Sequence, residues 1–147
     1  DLAVVLKEQW AEAGIDVNVI VVDESTYYGS DNPDQNWLGA TLGITGWGSR
    51  PYPQFYLDVM LKCNAQWNES HFCDAEFDRL ATLAGATLDE EERIAAYQDI
   101  QKLLIERGPA IIPYFSAEGG AIRDGFSGFN LKAFPGRTDL AAIRPAQ

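Results

Sequence analysis

The residues best equipped for chemistry in this sequence sit in one short stretch, Gly46-Trp47-Gly48-Ser49-Arg50-Pro51-Tyr52-Pro53. Trp47 offers an indole wall on which a flat or apolar group can stack. Arg50 is a fixed cation that can grip a carboxylate or phosphate through two parallel hydrogen bonds. Two prolines rule out a helix interior or a central strand. The stretch therefore reads as a stiff loop at a strand end, where α/β proteins place small-ligand contacts. Without a ligand, the same residues would be a core indole and an arginine paired to a neighbouring acid. Gly48, Ser49 and Tyr52 accompany Trp47 and Arg50 as secondary candidates, with Tyr27 and Tyr28 behind them.

Cys63 and Cys73 bracket a polar segment, residues 64–72. They admit three readings. A disulfide suits an exported protein and at this loop size contributes on the order of 3 kcal/mol. A metal site would recruit His71, but no fourth ligand is evident and the spacing fits no usual zinc pattern. The third reading is two unrelated thiols. Catalytic signals are sparse. His71 is the single histidine, which leaves Ser–His or Cys–His nucleophile chemistry little to work with. Gly125-Phe126-Ser127-Gly128 lacks the spacing of a nucleophile elbow. Gly43-Ile44-Thr45-Gly46-Trp47-Gly48 matches neither a P-loop nor a dinucleotide fingerprint. Glu90, Glu91 and Glu92 are explained by the positive end of a helix. The expectation is a protein without catalysis, metal or cofactor, a small hydrolase or transferase α/β domain being the alternative.

Composition narrows the partners. The chain has 147 residues, enough for one domain. Its 22 acidic against 11 basic residues give a net charge of −11. That is the wrong sign for a nucleic-acid surface or anionic lipid. No apolar run approaches the roughly 18–20 residues that cross a bilayer. The chain opens at Asp1 within a helical pattern, without a basic leader or initiator Met, as a mature or excised chain would.

Elements must carry these residues. Val5, Leu6, Trp10 and Ala13 are spaced for a helix over residues 2–13 that stops at Gly14. Residues 15–22 read as a strand with bulk on both faces. Residues 23–37 read as a polar loop turning at Ser30-Asp31-Asn32-Pro33-Asp34. A second strand is expected over 41–46, then a short helix over 54–61 burying Phe55, Val59 and Leu61. A helix over 74–85 would bury Phe77, Leu80, Ala81 and Ala84. The next opens on a capping box, Thr87-Leu88-Asp89-Glu90, with a stripe of Ile94, Tyr97, Ile100, Leu103 and Leu104, and ends at Gly108-Pro109. Strands are expected over 110–115 and near 121–123, before an aperiodic tail. The fold class expected is α/β, a mixed β-sheet with flanking helices.

The order of motifs adds a resemblance. A helix runs into Gly14-Ile15-Asp16-Val17, followed by Gly46-Trp47 and a proline-containing loop. Ala75-Glu76-Phe77-Asp78, Asp89-Glu90-Glu91-Glu92-Arg93, Tyr97-Gln98 and Pro109-Ala110-Ile111-Ile112-Pro113-Tyr114 complete the series. This pattern resembles the C-terminal portion of the dipeptide/oligopeptide-binding proteins, the extracytoplasmic solute-binding family 5 of ABC importers. The resemblance implies part of the C-terminal lobe of a two-lobed clamp over residues 1–125, with 126–147 as a tail leading back towards the first lobe. It implies a monomer whose partners are a small-molecule or peptide ligand, the other lobe of the same protein and a membrane permease, but no nucleic acid. The location would be periplasmic, or lipid-tethered outside a Gram-positive cell. It also favours a Cys63–Cys73 disulfide, because dipeptide-binding members carry a cysteine pair in the corresponding segment. One departure stands out. Peptide-binding members place an aspartate for the peptide's ammonium shortly after the tryptophan, whereas this chain has Arg50 and no acid before Asp58. A ligand presenting an anion there, or a peptide with its amine masked or elsewhere, is expected.

Overall fold

The two longest helices form the core, because their apolar residues recur at three- and four-residue spacing and need a common partner. In the computed structural model, which describes residues 2–33, 35–132, 134 and 136–146, these are α4 (Ala75–Ala86) and α5 (Glu90–Arg107). Phe77, Leu80, Ala81 and Ala84 of α4 are all buried against Ala96, Ile100 and Leu103 of α5, and Phe77 is 0% exposed. The connection is short and the helices run antiparallel. Asp74, the N-cap of α4, accepts from the amides of Glu76 and Phe77 and pairs with Arg107 at the far end of α5 at 3.0 Å. The expected stripe differs at one end: Ile94 is exposed, and Ala96 takes its place in the core. The capping box is also displaced. Asp89 is the N-cap of α5 and accepts from Glu92, while Thr87 closes α4.

The helix expected over 54–61 begins as α3 (Gln54–Tyr56) and widens into a π-helical turn over Leu57–Leu61. Leu57 and Leu61 face the core, with Phe55 and Val59 half-buried. Gln54 fastens this piece to the pair. Its amide donates to the Ala81 carbonyl at 3.0 Å and its oxygen accepts from the Tyr97 hydroxyl at 3.2 Å.

Upstream, α1 (Leu2–Glu12) ends as expected at Gly14, whose φ of +79° lies where glycine is favoured. It buries no residue. A six-residue helix, α2 (Glu24–Gly29), lies inside the segment expected to be a loop. Asp34 of the expected turn lies outside the described residues, as do Asp1, Ala133, Pro135 and Gln147.

The strands expected over 15–22, 41–46, 110–115 and 121–123 are not formed. An extended segment becomes a strand only when a neighbour takes up its amides and carbonyls, and among the described residues these segments have no such neighbour. Val21, Ile111 and Phe115 are correspondingly 88%, 79% and 89% exposed. Pairing among the described residues is confined to β1 (Phe126–Ser127) and β2 (Arg144–Pro145), antiparallel, with Phe126 opposite Pro145. The architecture is helical with one small sheet, and no described helix is long and apolar enough to cross a membrane.

Phe77→Ala is expected to lower the unfolding free energy by about 3–5 kcal/mol, through lost burial and a residual cavity. Asp74→Ala, which removes the cap and frees Arg107, is expected to cost about 1–2 kcal/mol. Urea denaturation followed by far-UV circular dichroism measures both, and a cap loss as large as the core loss would contradict this ranking.

Candidate functional site

Three segments bring aromatic rings to one face. Asp23 caps α2 with its carboxylate on the Thr26 amide, and the Ser25 hydroxyl, then Thr26, hold that carboxyl well below the usual carboxylate range. The helix presents Tyr27 and Tyr28, and the Trp37 amide returns to the Tyr27 carbonyl at 2.9 Å. Residues 43–48 run extended behind them. Gly43 permits this approach, since a Cβ there would stand 2.8 Å from the Tyr27 hydroxyl. The third segment is the loop between Cys63 and Cys73, which are joined by a disulfide. That bond settles the three readings of the cysteines. With both thiols consumed, His71 has no thiolates to share a metal with, and it is exposed.

The rings then form a continuous series. Tyr28 meets Trp37 at 5.6 Å between centroids, Trp37 meets Trp47 at 6.3 Å, and Trp47 meets Trp67 at 6.1 Å. Tyr56 closes on Trp47 at 6.0 Å and donates its hydroxyl to the Gly48 carbonyl at 2.7 Å. Together Tyr28, Trp37, Trp47 and Trp67 wall a concavity of about 500 Å³, with Arg50 at its edge. Tilted and edge-on geometries at such distances are favoured by the ring quadrupoles.

Glu69 orients this wall. Its Oε1 accepts from the Trp47 indole nitrogen at 2.9 Å, and its Oε2 accepts from the Thr45 hydroxyl. Thr45 has one proton and gives it to Glu69, so the Tyr27 hydroxyl 2.7 Å away must be the donor to Thr45. Burial pushes the Tyr27 phenol above its ordinary value; the Thr45 hydrogen bond opposes this and the Glu69 charge reinforces it. A phenol that keeps its proton keeps the relay running one way, from Tyr27 through Thr45 to Glu69.

Of the residues expected from sequence, Trp47, Gly48 and Arg50 lie together on the concave face. Ser49 and Tyr52 do not line it; Tyr52 is 57% exposed. Tyr28 lines it, and Tyr27 stands behind it in the relay. Arg50 donates to the Ser49 carbonyl at 3.0 Å and lies 4.8 Å over the Phe55 ring. Among the described residues it makes no ion pair. Sequence reasoning missed Trp37, Trp67 and Glu69. The first two carried a signal, because three of the four tryptophans fall between residues 37 and 67. Glu69 carried none, being matched to Trp47 across 22 residues of chain.

No family model matches the chain, and no solved structure matches it. Among curated proteins, it is similar to the peptide transport periplasmic protein SapA of Salmonella typhimurium, 28% identical over 145 residues. That match takes in 96% of this chain and 26% of the relative. It is also similar to di/tripeptide-binding protein 1 of Pseudomonas aeruginosa, 27% identical over 111 residues, covering 74% of this chain and 20% of the relative. The chain thus spans about a quarter or less of the length of these relatives.

Reduction of Cys63–Cys73 is expected to cost about 3 kcal/mol of stability in the chain-entropy picture. Because the loop holds Trp67 and Glu69, reduction should also change tryptophan emission below the unfolding transition. An unaltered spectrum in the reduced, folded protein would show that the bond does not hold the wall. Tyr27 sets an alkaline dependence. Its folded value is raised, so its contribution to stability is full below about pH 10, the ordinary tyrosine value, and is lost as pH rises through the folded value. Phenolate absorbance of the wild type minus Tyr27→Phe should therefore isolate one group titrating above about 10; a difference centred at or below it would refute the assignment.

Proposed function

We propose that this chain is part of the second lobe of an extracytoplasmic solute-binding protein of the dipeptide/oligopeptide-binding family, over residues 1–125, with 126–147 leading back towards the first lobe. The whole protein captures a peptide-like or other small solute by closure of two lobes and delivers it to the permease of an ABC importer. Its action is binding without turnover, as a monomer, outside the cytoplasm, in the periplasm or tethered by lipid. Trp47 and Arg50 are the principal contacts, Gly48 lies beside them, and Ser49 and Tyr52 are available to the closing lobe.

The observation that carries this reading is the single concave wall built from Tyr28, Trp37, Trp47 and Trp67 with Arg50 at its edge. Aromatic surface with few polar anchors is the chemistry of a ligand site. Backbone polarity supports it further, since among the described residues the extended stretch 43–48 makes no backbone–backbone hydrogen bond. Its amides and carbonyls are open to an extended peptide laid alongside. The two relatives, named for peptide transport and di/tripeptide binding, agree. The reading also gives the exposed apolar residues Val21, Ile111, Ile112 and Phe115 a place in the sheet of a complete lobe.

In the full-length context, a panel of di- and tripeptides should raise the melting temperature and quench tryptophan emission. Trp47→Ala should weaken binding by about tenfold or more, as for a buried aromatic anchor. Steady turnover of chromogenic esters or phosphates, with no solute-induced shift in melting, would replace this reading with that of a hydrolase.

A further inference from the structure

The charge lining the concave face is a single cation in an acidic chain. Of the residues that wall it, only Arg50 is charged at neutral pH, although acids outnumber bases two to one overall. The nearby carboxylate is already committed. Glu69 does not line the cavity, and each of its oxygens holds a protein donor, Trp47 on one and Thr45 on the other. An ammonium entering the wall would meet a guanidinium and no unoccupied carboxylate oxygen. Arg50 itself is preset. One N–H is tethered to the Ser49 carbonyl and the plane rests over Phe55. The remaining N–H donors of its fork are unpaired with any acid among the described residues. Beside it, the Trp47 and Trp67 rings, 6.1 Å apart and inclined at 60°, offer faces to a planar apolar group.

We infer that the solute group seated at Arg50 is an oxyanion, carboxylate or phosphate, adjoining a planar apolar group, and that a free ammonium is rejected there. The inference rests on the solute-binding reading and names the class of solute for that site. Discrimination is by charge sign. Lobe closure removes water, which magnifies both the attraction for the anion and the repulsion of the cation. Glu69 is a positioning residue in this scheme: it turns the Trp47 ring and withholds its own charge from the solute.

The test is calorimetric titration of the full-length protein with four probes that share an aromatic ring: N-acetyl-L-tryptophan, phenyl phosphate, N-acetyl-L-tryptophanamide and tryptamine. At least one anion should bind about tenfold or more tightly than the neutral amide, as expected for a charge-assisted pair, with tryptamine weakest. Which anion leads separates carboxylate from phosphate. Arg50→Gln should close the gap between anion and amide, and Arg50→Lys should restore part of it. An amide or amine that binds as well as both anions overturns the inference, as does a gap that survives Arg50→Gln. Alanyl-phenylalaninamide, which has a free amine and no carboxylate, separates the two levels of failure. If it binds and quenches tryptophan emission while neither anion binds, the charge assignment falls and the solute-binding reading stands. If none of the five binds, both fall.

Discussion

A ten-residue separation between two bonded cysteines constrains everything built above it. The loop they close is anchored to the helical core at both ends. The Cys63 amide donates to Asp78 of α4 at 3.1 Å, and Cys73 directly precedes Asp74, the N-cap of the same helix. Phe72 adds a ring contact to Phe77 at 5.5 Å. Within the loop, buried Asn68 spends its amide on the carbonyls of Lys62 and Phe72 and its oxygen on the Phe72 amide and the Ser70 hydroxyl. A polar side chain used so fully at low exposure rigidifies its surroundings. Glu69 follows Asn68 in sequence, so its carboxylate inherits that rigidity. The order of dependence runs from helix pair to disulfide loop, from loop to Glu69, and from Glu69 to the Trp47 ring.

What could be read from the sequence was what local spacing controls. The buried face of α4 was legible residue by residue, because Phe77, Leu80, Ala81 and Ala84 repeat with the period of the helix itself. The stop at Gly14 and the stiff loop around Pro51 and Pro53 were legible for the same reason, the backbone limits of single residues. The cysteine pair remained one of several readings until the resemblance favoured a bond. Trp47, Gly48 and Arg50 share a face because the chain between them is short.

What was not legible depends on partners remote in sequence. Alternating bulk in residues 15–22 and 110–115 reports which faces want cover, and cannot report whether a neighbouring strand is there to accept hydrogen bonds. α2 was hidden by its content. Ser25, Thr26, Tyr27 and Tyr28 are indifferent helix formers, and the helix owes its start to the Asp23 cap. Ile94 was expected in the core on periodicity, yet the small Ala96 lies there instead, where close approach of two helices favours little side-chain bulk. Glu69 is the extreme case: nothing in Asn68-Glu69-Ser70 marks it, and its role exists only once Thr45 and Trp47 have arrived.

The widened turn over Leu57–Leu61 has a consequence for how this region tolerates changes in length. The Lys62 amide reaches back five residues to the Leu57 carbonyl at 3.0 Å, one residue further than an α-helix allows. Removing a single residue there would let the backbone relax into ordinary α-helix. Everything after the deletion would then swing by about 100° around the helix axis. Cys63 would leave its mate's side of the molecule, and Trp67 would turn from the indole it now faces. Variation in this part of the chain should therefore be by substitution, with the spacing from Gln54 to Cys63 held constant.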